Sequence, residues 1–157
     1  MNDPVLQQRV ERFLGVLNQC QALKLTVTEA TADALTIELP WQPAIVGNPA
    51  TGVIHGGAIT TLMDTTCGSV LICALPEFEV CPTLDLRVDY MRPAIKGESV
   101  YARAEIYRTT RNVIFTRCEA FHADGTTVAH CVANFMRMGE QLNMPESFRT
   151  TILGEAP

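Results

Sequence analysis

From His55 to Leu75 the chain runs without a proline, and Ile59, Leu62, Met63, Val70, Leu71 and Ala74 fall on more than one side of a helical wheel. A helix that is apolar nearly all round must be enclosed, and whatever encloses it decides the fold. Beyond Pro76 the period changes from helical to two. Leu84, Leu86, Val88 and Tyr90 alternate with Asp85, Arg87 and Asp89; Val100, Ala102, Ala104 and Ile106 alternate with Tyr101, Arg103, Glu105 and Tyr107. These are expected to be half-buried antiparallel strands. Two more strands are predicted near residues 113–121 and 127–138, joined through the turn signal Ala123-Asp124-Gly125. Ahead of the helix, residues 23–30 and 34–41 read as a hairpin, with Leu35, Ile37 and Leu39 alternating. The order predicts an α+β fold in which one antiparallel sheet wraps around one central helix.

The N-terminal segment reads as an amphipathic helix packed on this body. Asp3 can cap it, Pro4 suits its first turn, and Leu6, Val10, Phe13, Leu14 and Leu17 recur at helical spacing. Residues 42–53, rich in proline and glycine, read as a loop without regular structure. The chain of 157 residues is expected to be a single unit: an N-terminal helix over 1–22, the main domain over 23–138, and a C-terminal tail over 139–157 as a surface appendage.

Charge and composition narrow the class further. Charged residues make up 18% of the chain, against about a quarter in typical soluble domains, so part of the surface is expected to be covered by another copy. A net charge of −5 argues against nucleic acid as a partner. Asp3, Arg9, Glu11 and Arg12 interrupt the N-terminus where a signal peptide needs an apolar core, and prolines and glycines break the long uncharged stretch from Pro40 to Met63. A cytoplasmic location without a membrane partner is the expectation. The six cysteines form no C-x-x-C pair, so neither a metal nor thioredoxin chemistry is expected.

The chemistry concentrates in residues 48–68. Asp64 is a carboxylate in the middle of an apolar helix, costly to bury unless hydrogen-bonded or employed. Its mundane partners would be the hydroxyls of Thr60, Thr61 or Thr65. His55-Gly56-Gly57 stands where the helix begins, and unbonded N–H groups there, at the positive end of the helix dipole, can polarise a carbonyl oxygen. Seven residues separate Gly57 from Asp64, an advance of about 10.5 Å and close to two full turns. They therefore share a face but cannot both reach one carbonyl. Two such helices antiparallel across a twofold axis would bring Asp64 of one chain opposite Gly57 of the other. A backbone-amide site facing a carboxylate suits acyl transfer from a thioester to water, with Asp64 as general base or as nucleophile.

The pattern G-x-x-HGG-x-x-x-x-L-x-D, here from Gly52 through His55, Gly56, Gly57 and Leu62 to Asp64, is followed by four strands and by Tyr90-Met91-Arg92-Pro93. It resembles the hotdog-fold acyl-CoA thioesterases of the PaaI-like and 4-hydroxybenzoyl-CoA thioesterase group, over roughly residues 25 to 138. The resemblance implies that Asp64 is the catalytic carboxylate and that the Gly57 amide polarises the thioester oxygen. It implies that Asn48 helps hold the water or the thioester, that His55 hydrogen-bonds near it at the helix start, and that Thr83 helps place the water. It also implies medium-chain or aryl acyl-CoA substrates, with coenzyme A as part of the substrate and no separate cofactor. The active unit would be a homodimer joined edge to edge, doubled to a homotetramer. Arg92, Arg108 and Arg111 are candidates for the coenzyme A phosphates, with Lys96 and Arg137 behind them, while Met63, Phe78, Tyr90 and Phe115 are candidates for the acyl pocket. His122 and His130 read as structural. Two other functions fit the same pattern. One is a non-catalytic acyl-CoA-binding protein; the other is a hotdog 3-hydroxyacyl dehydratase or hydratase, although the H-F-P-G type loop of those enzymes is missing.

Overall fold

The computed structural model describes residues 2–139 and 145–154. Helix α1 spans Pro4–Val16, and Asp3 caps it by accepting from the Val5 and Leu6 N–H groups at 2.9 and 3.2 Å. The backbone turns extended at Leu17, so the expected single helix becomes two, with α2 over Asn18–Leu23. Strands β1 (Thr26–Ala30) and β2 (Ala34–Leu39) form the expected hairpin.

The stretch read as an irregular loop is instead ordered by its own turn residues. Pro43 opens a short 3-10 turn, Pro43–Ile45, and β3 (Val46–Asn48) folds back on β4 (Val53–Ile54). The reversal is closed by Gly52 at φ +73°, whose N–H bonds the Asn48 carbonyl at 2.8 Å. The small ribbon delivers the chain to α3, Gly56–Ala74, the expected central helix. By length and hydropathy alone α3 could cross a membrane, but Leu62, Met63, Cys67, Val70 and Leu71 are buried against the protein's own sheet and α1.

Strands β5 (Thr83–Tyr90), β6 (Val100–Thr109), β7 (Val113–Phe121) and β8 (Thr127–Met136) complete a six-stranded antiparallel sheet in the order β1-β2-β6-β7-β8-β5. Its inner face carries Leu35, Ile37, Ala102, Ala104, Ile114, Ala120, Ala133 and Phe135 onto α3. Small alanines opposite a bulky helix allow the sheet to curl around it.

Two expectations change here. β5 is an outer strand paired only with β8, and its apolar residues are less covered than period two suggested, with Leu84 55% and Tyr90 51% exposed. The segment read as an appendage holds helix α4, Glu146–Leu153, which packs on α1 and buries Ile152 completely. One inward residue on a two-turn helix leaves no periodic signal to read in sequence.

Candidate active site

The start of α3 is fixed from three directions. The His55 N–H donates to the Ile45 carbonyl at 2.8 Å, tying the helix entry to the ribbon. Gly47 passes His55 so closely that a Cβ there would lie 2.8 Å from the His55 Cα, so the ribbon can approach only without a side chain. The Tyr90 hydroxyl, from the outer strand, donates to the Gly56 carbonyl at 2.7 Å and also meets the Thr60 hydroxyl. His55 itself is the N-cap: its Nδ1 accepts the Gly57 N–H at 2.9 Å. The amide that spacing singled out is therefore engaged by the neighbouring ring. One residue earlier, no group among the described residues accepts the Gly56 N–H.

Two turns along, Asp64 is half-buried, and its Oδ1 accepts from the Thr83 hydroxyl at 3.0 Å. Burial pushes this carboxyl above its ordinary pKa; the Thr83 bond pulls it part of the way back, and charge on Cys131 pushes it up again. Of the polar partners expected for Asp64, Thr61 donates instead to the Gly57 carbonyl and Thr60 meets Tyr90, so the helix hydroxyls do not neutralise it. Thr83 was named only through family resemblance, and the structure brings it into contact with Asp64. That contact crosses 19 residues from helix to outer strand, beyond the reach of any local pattern.

Gly57, Thr61, Asp64 and Gly68 follow one another at spacings of four, three and four, so they line one face of α3. Along this face lie two clefts. One, of about 400 Å³, sits at the helix start against His55, Gly57 and Thr61. The other, of about 190 Å³, lies beside Asp64 and Thr83 and is walled by Phe13, Leu17, Ile72 and Phe135. Its walls were missed in the sequence, where Phe13 and Leu17 read only as the packing face of an N-terminal helix. Phe115 cannot contribute: Ile114 and Thr116 point inward and are buried, so Phe115 lies on the outer face against Tyr107, ring centres 6.1 Å apart. Met63 is wholly buried in the core, and Tyr90 serves the helix start rather than a pocket wall.

Asn48 ends β3 and caps the turn there, its Oδ1 accepting the Ala50 N–H at 3.0 Å. This leaves its Nδ2 as the group free to donate. Arg108 and Arg111 sit at the β6–β7 turn, on the Thr83 side of the sheet, whereas Arg92 follows β5 at the opposite end, so one chain does not gather them. All three are exposed, and among the described residues none forms an ion pair. Arg137, by contrast, pairs with Glu79. The structural reading of the histidines fits their surroundings. His122 is fully buried, its Nδ1 bonding the Ser99 carbonyl at 2.9 Å while Nε2 accepts from the Ile95 N–H at 3.1 Å. His130 lies on the outer face, 3.4 Å from Glu119.

An available helix-terminal amide and, two turns on, a half-buried carboxylate are groups that can polarise a carbonyl and activate a water. Similarity to known proteins points the same way. Residues 51–129 match the thioesterase superfamily. The chain is 32% identical over 108 residues to the Escherichia coli medium/long-chain acyl-CoA thioesterase YigI, covering 60% of this chain and 69% of that one. Among solved structures, a Pseudomonas aeruginosa protein superposes with a TM-score of 0.78 at 58% identity, covering 85% of this chain and 99% of that one. The PaaI protein of the E. coli phenylacetic acid degradation operon shares the fold at a TM-score of 0.75 and 16% identity, over 86% and 94% of the two chains.

Proposed function

The chain belongs to the thioesterase superfamily and is a thioester hydrolase, and on that premise we propose that it hydrolyses acyl-CoA to free acid and coenzyme A at two sites shared between the chains of a homodimer. The observation that carries the reading is Asp64, half-buried, held above its ordinary pKa and, among the described residues, hydrogen-bonded by Thr83, two turns along the helix whose first turn holds the available amide. A carboxylate kept this way is a base in search of a proton.

The thioester oxygen takes the Gly56 N–H, and the Gly57 N–H joins it when the His55 ring turns aside. Gly57 then acts together with Gly56 rather than alone, and His55 governs access to it. A water placed by Asp64, with Thr83 fixing the carboxylate and Asn48 donating from Nδ2, attacks the carbonyl carbon and gives its proton to Asp64. Collapse of the tetrahedral intermediate breaks the carbon–sulfur bond, and that proton leaves on the coenzyme A sulfur. In the other route the Asp64 oxygen attacks first and the carbon–sulfur bond breaks to release coenzyme A as the thiolate; water then opens the mixed anhydride to free acid and the Asp64 carboxylate, and the proton that water gives up goes to the thiolate.

About 12 Å separates Gly56 from Asp64 along one helix, so each site takes its amide from one chain and its carboxylate from the other. The outer strand supports this assembly. β5 carries exposed Leu84 on a backbone edge that no other strand among the described residues pairs, and exposed Met91 follows it, a combination that soluble proteins cover. Antiparallel pairing of two β5 strands sets the Thr83 end of one chain against the Tyr90 end of the other. That brings the partner's Arg92 toward Arg108 and Arg111, as a phosphate site for coenzyme A requires. The dimer doubles to a tetramer through outer-face residues such as Tyr107, Val132 and Met136. The 190 Å³ cleft beside Asp64, apolar on four sides, receives a medium-chain or aryl acyl group.

The test is a panel of acyl-CoA thioesters graded by chain length and aromaticity, assayed by release of the free thiol. Turnover with a medium-chain or aryl optimum is the expected result; binding without hydrolysis across the whole panel would refute the proposal.

A further inference from the structure

Three of the six cysteines, widely separated in sequence, converge in the core. Cys118 on β7 and Cys131 on β8 are direct register partners on the inner face of the sheet, and Cys67 meets them from α3. All three are buried, the Cys67 and Cys131 sulfurs are 3.7 Å apart, and the three sulfurs lie within 4.8 Å of one another. Sequence spacing pointed away from a metal because the residues come from three different elements, and only the curl of the sheet over α3 brings them together.

The triangle has the dimensions of a coordination site. Three thiolates around one cation at about 2.3 Å stand about 4.0 Å from each other, within reach of small rotations of these side chains. Among the described residues no further histidine, cysteine or carboxylate joins the three sulfurs. The nearest hydroxyl of consequence, on Thr116, is committed to the Ala133 carbonyl at 3.2 Å, and the neighbouring core residues Ala104, Ala120 and Ala133 carry no donor atoms. A site of three sulfurs disfavours zinc, which completes a tetrahedron, and suits a soft cation content with three sulfur ligands.

We propose that Cys67, Cys118 and Cys131 form a buried three-sulfur site for Cu(I). On binding, the cation displaces thiol protons to solvent and forms three copper–sulfur bonds, with no change in oxidation state. The site lies three residues from Asp64 on the same helix but shares no ligand with it. The proposal therefore stands whether or not the hydrolytic reading does.

The test uses the full chain, reduced and handled without oxygen, titrated with Cu(I) against a colorimetric Cu(I) chelator. Wild type is expected to retain one equivalent per chain, and Cys67→Ala, Cys118→Ala and Cys131→Ala to lose it. A further variant, Cys20→Ala/Cys73→Ala/Cys81→Ala, leaves only the three converging thiols and does not depend on the cluster variants folding. Its X-ray absorption spectrum should report three sulfur neighbours at about 2.3 Å. Surrender of all the copper to the chelator by this variant, a two-sulfur environment, or equal retention by well-folded Cys131→Ala would each overturn the proposal, as would tighter retention of Zn(II) than of Cu(I).

Discussion

In the proposed mechanism Asp64 contributes in opposite directions to stability and to catalysis. Because burial raises its pKa in the folded chain, the folded state holds this proton more tightly than the unfolded state does. The fold therefore loses stability as pH rises from the ordinary carboxylate pKa through the raised one, and at neutral pH the ionised group remains a burden. Asp64→Asn should raise the melting temperature at neutral pH in a thermal melt while lowering kcat by about 10² to 10⁴-fold, the usual contribution of a positioned acid–base group. The acid limb of the kcat/KM profile should fall at higher pH than for an ordinary aspartate. Thr83→Val removes the one bond that lowers the Asp64 pKa, so it should move that limb to still higher pH, as read in the pH–rate profile. Asp64 was legible because a carboxylate inside an apolar helix violates the surrounding pattern. That the His55 ring takes the Gly57 N–H and not that of Gly56 was not, because adjacent glycines look alike in sequence and the outcome depends on where that ring turns.

At the scale of elements, the central helix and the strands followed from periodicity because each buries a broad, regular face. The β3–β4 ribbon and α4 did not, being built from turn geometry and from a single buried anchor. α4 nevertheless braces α1, which supplies Phe13 to the cleft beside Asp64, with Leu17 following at its end. Ile152→Ala should cost about 2–4 kcal/mol in chemical denaturation, as expected for a fully buried isoleucine. The cleft itself is opened by Gly68, where a Cβ would stand 3.3 Å from the end of the Phe135 ring. Gly68→Val fills that space, so the chain-length optimum in the acyl-CoA panel should shift to shorter acyl groups, with kcat on the shortest substrates changed less than about threefold.

For the whole molecule, the scarcity of charge and the exposed apolar outer strand describe the same surface from two directions. Sequence composition raised the expectation of a partner surface; the sheet order is what makes β5 the edge on which the proposed dimer is built. Leu84→Lys places charge at that edge and should give monomers in sedimentation and abolish turnover, although Asp64 and the helix start are untouched.

The central claim is that amide and carboxylate come from different chains, and subunit mixing tests it most directly. Gly56→Pro deletes the available N–H at the first position of α3, where proline suits a helix and where the extended His55 backbone accepts it. Homodimers of Gly56→Pro and of Asp64→Asn should each be inactive. After subunit exchange at equal concentrations, half of the dimers are mixed and each holds one intact site out of two, so about a quarter of wild-type activity should return. No recovery, in samples verified to contain mixed dimers, would place both groups of each site on one chain and contradict the account.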